Sequence, residues 1–353
     1  MEQPNRLYPL THPNKDEPWG WDQLDCTFER PAGEYPAVSP KVSIIIPCYN
    51  ARETIAEAVR SALDQTHQSL EVIVVDDASK DGTPELLRQL SLSDPRIQVI
   101  YLTQNAGPSA ARNIAIREAR GEWLALLDAD DIYEPDRIRT LLEVALTQQA
   151  DMVADNILME EYPRGGNRAI AFPFNQAANP IELTLLSFLA STVQNGELNF
   201  GFLKPLIKRS FLVKEGLSFS TKYRVGEDFL LFTECLLRGA RLLILPKPGY
   251  IYRRRKDSIT VSGRYNNSIL SELNGELMER LRGNVNAAEW DALIAYQCLL
   301  DQTVEYDKFR SSLSSGSYWR AILELLSSPF MIRIAFRRLR IRARRFTRNR
   351  NHA

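Results

Sequence analysis

Between Lys41 and Leu127 short apolar runs alternate with helical stretches, and this alternation limits the possible folds more than any other feature. Val42-Ser-Ile-Ile-Ile-Pro47 is a β-branched run stopped by its proline and by Tyr49-Asn50. Ile55, Val59 and Ala62 then fall at helical spacing. Leu70-Glu-Val-Ile-Val-Val-Asp76-Asp77 is the second run, followed by the turn Ser79-Lys80-Asp81-Gly82 and a helix from Thr83-Pro84. Ile97 to Leu102 is the third. Asn105-Ala-Gly107-Pro108-Ser109 turns into a helix through Ala119, and Trp123 to Leu127 is the fourth run. Strands separated by helices of about 10–15 residues indicate βαβ units, a parallel sheet and an α/β fold class.

The fourth run ends abruptly in Asp128-Ala129-Asp130-Asp131, and Glu134-Pro135-Asp136 opens the next helix. Ligands of open α/β sheets sit beyond the carboxyl ends of the strands. Carboxylates placed there at i and i+2 can share one hard cation and leave most of its shell to phosphate oxygens and water. Taken alone, a D-x-D is as compatible with a solvated acidic loop, so its surroundings decide. A nicotinamide-binding domain would carry G-x-G-x-x-G after the first strand, where Pro47-Cys48-Tyr49-Asn50 stands.

Four blocks together are specific. Val42 to Asn50, Val74-Val-Asp-Asp-Ala-Ser-Lys-Asp-Gly82, Asn105-Ala-Gly-Pro-Ser-Ala-Ala-Arg-Asn113 and Leu127-Asp-Ala-Asp-Asp131 resemble, in order and spacing, the family 2 glycosyltransferases. The resemblance covers roughly residues 41 to 135, and Gly226-Glu227-Asp228 matches a further family feature, an acidic pair at a helix start. It implies the GT-A fold, Rossmann-like with helices on both faces of a mostly parallel sheet. It also implies an inverting, metal-dependent hexosyltransferase that uses a nucleoside-diphosphate sugar, with UDP-glucose the commonest donor.

By the same resemblance, Tyr49 and either Asp76 or Asp77 hold the pyrimidine ring, the carboxylate accepting the ring N–H. The other aspartate caps a turn. Pro47, Arg112, Asn113 and Glu227 border the substrates, Asp128 contacts the ribose, and Asp130 holds Mg2+ or Mn2+. Asp228 matches the position of the catalytic base. A carboxylate suits that task, because the acceptor hydroxyl becomes acidic only as its bond to carbon forms. Arg253-Arg254-Arg255-Lys256, expected to follow a short strand, either clamps the departing diphosphate, Arg254 foremost, or is a solvated basic loop.

The flanks carry less chemistry. Residues 1–40 read as a Pro-rich arm with Trp19 and Trp21, residues 41–258 as the GT-A domain, and residues 259–326 as a helical C-terminal extension. Within the domain Glu160 to Pro180 reads as a long loop, Ile181 to Val193 as a helix, and Phe200 and Phe202 as acceptor-stacking or core aromatics. Residues 327–353 contain no acid and nine arginines. Ile332, Ala335, Phe336, Leu339, Ala343 and Phe346 fall on one face of a helix there, the pattern of a basic helix lying in a membrane interface. Four well-separated cysteines suggest neither zinc nor disulfides, which points to a reducing cytoplasm. The polar N-terminus is unlike a signal peptide, and no uncharged apolar run approaches the ~18 residues of a spanning helix.

The function expected is therefore transfer of a sugar from a UDP-sugar to a hydroxyl of a lipid-linked saccharide in exopolysaccharide biosynthesis. Its place would be cytoplasmic, peripheral on the inner face of the membrane. Two alternatives remain at this level: a sugar nucleotidyltransferase, which would carry a Gly-rich, Lys/Arg-containing loop after the first strand, and a nucleic-acid-binding protein acting through the Arg-rich tail.

Overall fold

Every apolar run of the first half becomes a strand. The structure, a computed structural model, describes residues 25–29, 41–163, 168–194, 199–255, 267–328 and 332. Its order begins β1 (Cys26–Glu29), β2 (Val42–Cys48), α1 (Ile55–Leu63), β3 (Leu70–Asp76), α2 (Thr83–Ser93), β4 (Ile97–Leu102), α3 (Pro108–Glu118), β5 (Trp123–Leu126), β6 (Ile132–Tyr133) and α4 (Arg137–Thr147). All seven residues of β3 are buried, as expected of a strand covered on both faces.

β4, β3, β2 and β5 lie side by side in parallel. The chain thus winds outward from β2 through β3 to β4 and returns to place β5 on the other flank of β2. This is the switch point at which open α/β sheets bind ligands. It puts the ends of β2 and β5, hence Tyr49 and the Asp128–Asp131 acids, on either side of one crevice. The return is tight. A side chain on Gly121 would place its Cβ 2.5 Å from the Ser43 backbone nitrogen. The Gly121 N–H instead donates to Ser43 Oγ at 2.8 Å, and that hydroxyl donates to the buried Glu71 at 2.6 Å.

The sheet continues through β7 (Met152–Glu161), β8 (Arg168–Ile170), β9 (Ile181–Leu183), β10 (Leu206–Lys208) and β11 (Leu242–Arg254). Among the described residues it has 11 strands, in the order β1-β4-β3-β2-β5-β10-β7-β11-β6, with β8 on β7 and β9 on β11. β10 is antiparallel to both β5 and β7, so β7 and its parallel neighbour β11 run in the direction of β5. Between these strands stand α5 (Leu185–Gln194), a 3₁₀ turn (Phe200–Phe202), α6 (Arg209–Glu215) and α7 (Glu227–Leu237).

Several expectations are corrected. The long loop expected from Glu160 to Pro180 is partly strand: β7 extends through Glu161, and β8 folds back onto it. Ile181–Leu183 is a strand, and the helix starts only at Leu185. The basic run does not follow a short strand, because β11 continues to Arg254 through Pro246 and Pro248. Its register against β7 shifts on either side of Pro248, and such bulges are where a sheet tolerates proline. From the N-terminal arm, Cys26–Glu29 pairs antiparallel with β4 at the sheet edge; Trp19 and Trp21 lie outside the described residues.

Residues 265–353 form a second unit. It comprises α8 (Asn267–Leu281), α9 (Ala287–Ser314) and α10 (Tyr318–Ser327). Asn286 caps α9 in a reciprocal capping box with Glu289, which explains the polar break after α8. Inside the unit Asn274 donates to the Leu293 carbonyl at 3.2 Å and to Gln297 Oε1 at 2.9 Å, joining α8 to α9. The basic amphipathic helix expected over 327–353 falls outside the described residues apart from 327, 328 and 332.

Candidate active site

The turns after β2 and β3 are knitted together. Asn50 and Ala78 both adopt positive φ, 48° and 61°. The Asn50 N–H donates to Ser79 Oγ at 2.8 Å, while its side-chain carbonyl accepts the Lys80 N–H at 2.8 Å. The next two amides, of Ala51 and Arg52, donate to Thr83 Oγ1 and Asp81 Oδ2. Tyr49 stands above this turn, 50% exposed, and Pro47 lies opposite Val75 within the sheet.

The paired aspartates separate into two environments. Asp77 faces the turn that opens α3: its carboxylate accepts N–H groups of Asn105 Nδ2 (2.8 Å), Ala106 (2.6 Å) and Gly107 (2.8 Å). Gly107 has φ 89°, a left-handed value that favours glycine. Asp76 lines a cavity of about 420 Å³ together with Thr27, Ser79, Lys80, Arg88 and Tyr101. Its Oδ1 is buried without a hydrogen-bond partner among the described residues. Burial pushes both carboxyls above their usual range.

Beyond β5 the acids meet two buried cations. Arg112, on α3, donates to Asp128 Oδ1 and to Glu227 Oε1, each at 2.8 Å, and lies 3.6 Å from Asp228 Oδ1. Lys204 places its ammonium 2.9 Å from Asp128 Oδ2 and 2.6 Å from Asp228 Oδ2. Burial alone would raise the Asp128 carboxyl, but Lys204 and Arg112 hold it well below the usual range. For Lys204 burial works against the charged form, and the facing Asp128 and Asp228 outweigh it, raising its pKa. Gly226, at φ 82°, opens α7 so that Glu227 and Asp228 occupy its first turn, where the helix dipole favours acids. Asp228 Oδ1 is buried without a hydrogen-bond partner among the described residues.

Asp130 differs from its neighbours. Among the described residues no ion pair reaches it, and burial together with the charge of Asp128 raises its pKa to about 6. The charges of Arg255 and Lys204 offset this only in part, and a divalent cation would supply the positive charge still needed. Among the described residues no three His, Cys, Asp or Glu side chains group as a metal site. Asp131, the third acid, is structural: it accepts the Tyr250 hydroxyl at 2.6 Å and the Arg253 N–H at 2.8 Å, tying the acidic turn to β11.

Not every residue expected to border the substrates has the same standing. Asn113 turns into the packing, its amide donating to the Phe219 carbonyl (2.8 Å) and accepting the Phe219 N–H (2.9 Å), which leaves it no reach toward a donor. Arg112 joins acids of two elements instead of lying open. Of the basic run, Arg253 is buried and paired with Glu57, while Arg254 lies 3.9 Å from Glu161. Phe200 is a core residue, its ring 5.0 Å from Phe172. Lys204 is the participant that sequence reasoning missed; one lysine ahead of Pro205 carries no signal of its two carboxylate partners.

A parallel sheet with its switch point beside paired acids defines the class: this is a GT-A fold, as in two solved structures. One is S. aureus TarS 1-349 in complex with UDP-GlcNAc, at TM-score 0.61 and 21% identity over 81% of this chain and 79% of that one. The other is the mannosyltransferase PcManGT from Pyrobaculum calidifontis in complex with GDP-Man and Mn2+, at TM-score 0.54 and 19% identity over 83% of each. Residues 43–194 match the model of Glycosyl transferase family 2, and the chain carries a domain of that family.

Among curated proteins it is similar to the succinoglycan biosynthesis proteins of Rhizobium meliloti (strain 1021). With ExoO it shares 40% identity over 222 residues, 63% of either chain. With ExoU it shares 36% over 236 residues, 65% of this chain and 66% of that one. The match therefore spans a little under two thirds of the length of these relatives. Glu227 and Asp228 lie beyond the family match, so their part in the site rests on geometry.

Proposed function

We propose that this protein is an inverting, metal-dependent glycosyltransferase of polysaccharide biosynthesis. It moves a sugar from a UDP-sugar to a hydroxyl of a lipid-linked saccharide. The observation that carries this reading is the buried cluster in which Arg112 and Lys204 join Asp128, at the end of β5, to Glu227 and Asp228, at the start of α7. The names of the relatives, in succinoglycan biosynthesis, support the pathway, and the UDP-GlcNAc held by TarS supports the donor class. Glucose and N-acetylglucosamine are the sugars to test first.

The pyrimidine N–H is assigned to Asp76, which lines a cavity of about 420 Å³ with room for the base and whose Oδ1, buried without a partner among the described residues, is free of contacts like those that occupy Asp77. Asp77 holds the Asn105–Gly107 turn, and Tyr49 covers the ring. Asp128 meets the ribose. Asp130 holds Mg2+ or Mn2+, which when bound neutralises charge on the diphosphate.

Asp228 Oδ1 takes the proton of the acceptor hydroxyl. That oxygen forms its bond to the anomeric carbon as the carbon–phosphate-oxygen bond breaks, and the electron pair leaves with UDP. Lys204 and Arg112 fix the carboxylate behind this attack, and the basic run, Arg254 within it, would meet the leaving group. Attachment to the inner face of the membrane through residues 327–353 would serve a lipid-carried acceptor. Incubation with a panel of UDP- and GDP-sugars, with nucleotide release measured in Mg2+ or Mn2+, tests the reading. Release from no UDP-sugar, with or without membrane extract as acceptor, would end it.

A further inference from the structure

The C-terminal unit bears an apolar stripe on the last helix of the described residues. On α10, Trp319, Ile322, Leu323 and Leu326 fall at i, i+3, i+4 and i+7, the spacing of one helix face. All four are exposed, Trp319 at 81% and Leu323 at 67%. Tyr318 flanks the stripe and is exposed as well, whereas Ala321, on the opposite side of the helix, is buried. α10 therefore packs through Ala321, with Leu325 half-buried, and turns the four stripe residues outward. Scattered exposed apolar residues are ordinary, but a contiguous helical stripe of this kind marks an interaction surface.

What covers it follows from charge. Residues 327–353 hold nine arginines and no acid, beginning with Arg333 only seven positions after Leu326. The Ile332 N–H donates to the Ser328 carbonyl at 3.1 Å. A surface that accepts a Trp, Tyr and Leu stripe and a dense positive charge that follows it in the chain is apolar within and anionic at its edge. That is the interface of a bilayer containing anionic lipid, where Trp and Tyr prefer the headgroup level. With ten residues α10 is far too short to span, and among the described residues no helix could cross a membrane.

We infer that the exposed Trp319–Leu326 face of α10 docks on an anionic membrane surface, inserting its apolar side chains at headgroup depth while the arginines that follow engage lipid phosphates. This rests on the peripheral attachment proposed above and adds to it a docking surface outside the basic tail.

The test uses full-length protein and vesicles of phosphatidylcholine, with or without 30% phosphatidylglycerol (a chosen composition). The variants are Trp319→Ser/Leu323→Ser/Leu326→Ser and a truncation before Pro329. The triple variant should keep its thermal unfolding profile, since all three side chains are exposed, and lose affinity for anionic vesicles by about ten-fold or more. Bromine-labelled lipid should quench part of the wild-type tryptophan emission that Trp319→Phe lacks.

Failure of wild-type protein to bind anionic vesicles overturns the attachment itself. Wild-type-like binding by the triple variant, or equal quenching of Trp319→Phe, overturns the α10 surface and leaves a tail-only anchor. A triple variant that changes oligomeric state in sedimentation while binding vesicles normally assigns the stripe to a second copy of the chain and likewise overturns the inference.

Discussion

Lys204 and Asp228 form a 2.6 Å ion pair in which both side chains are almost wholly buried. The same ammonium reaches Asp128, so the acid of the strand end and the acid of the helix start share one cation. Removing one member of such a group strands the others as uncompensated buried charges. Asp228→Asn keeps the shape but cannot take a proton. Donor affinity should survive and turnover should fall roughly 10²–10⁴-fold in a nucleotide-release assay. Normal turnover at saturation with lost donor affinity would make Asp228 a binding residue instead. Lys204→Met should cost about 3–5 kcal/mol in chemical denaturation and also abolish transfer.

Asp130 forms no ion pair among the described residues, although Arg255 and Lys204 act on it at longer range, whereas Asp128 is paired with two cations. Asp130→Ala and excess chelator should each abolish transfer, with thermal unfolding of the free protein unchanged or slightly raised. Full turnover in chelator removes the metal from the mechanism.

The two aspartates after β3 should respond differently. Asp76→Asn should weaken UDP binding about ten-fold in calorimetry with little loss of stability, because Oδ1 has no partner to lose among the described residues and the Asn carbonyl can keep accepting the Ser79 N–H that Oδ2 accepts at 3.3 Å. Asp77→Asn disturbs three N–H acceptor contacts and should lower stability by about 1–3 kcal/mol. The reverse pattern would assign the base to Asp77.

Gly121→Ala should be among the most damaging small substitutions, since the added Cβ would stand 2.5 Å from a backbone nitrogen. A loss of about 1–3 kcal/mol is expected in thermal denaturation.

Asp94 offers a pH test away from the site. Its contacts with Arg96, at 2.8 Å for the closest, hold its carboxyl below the ordinary 3.8. The folded pKa is the lower one, so the stabilisation is complete above the unfolded value and disappears as pH falls through the folded value. Wild type should exceed Asp94→Asn by about 0.2–1 kcal/mol at pH 7, and the difference should close as pH falls through the folded pKa.

The strands from β2 to β5 were legible because β-branched runs separated by helical spacing leave few alternatives, and each run closes on Asn, Gly or Asp; β1, in the stretch read as a Pro-rich arm, was not. Later elements were not. Pro246 and Pro248 read as the end of a strand, and only a bulge against β7 lets β11 pass through them. The same limit applies to the site. The sequence places acids after β5, but it does not reveal that Asp131 is spent on Tyr250, 119 positions away. Nor does it reveal that Asn113 is spent on Phe219, 106 positions away. The exposed stripe of α10 was within reach of its i, i+3, i+4, i+7 spacing and lay hidden only because the whole region read as helical.

β10 has one further consequence. Its three residues are the hydrogen-bonded seam between β5 and β7, pairing Ala125, Leu124 and Trp123 on one side and Val153 and Met152 on the other. Lys204 lies two positions before that seam. If the seam unzips, the ammonium that joins Asp128 to Asp228 is carried away with it, so closing the sheet and arming the base become a single event. Amide exchange at Leu206 and Ile207 would therefore time the assembly of the reacting centre, without any substrate present.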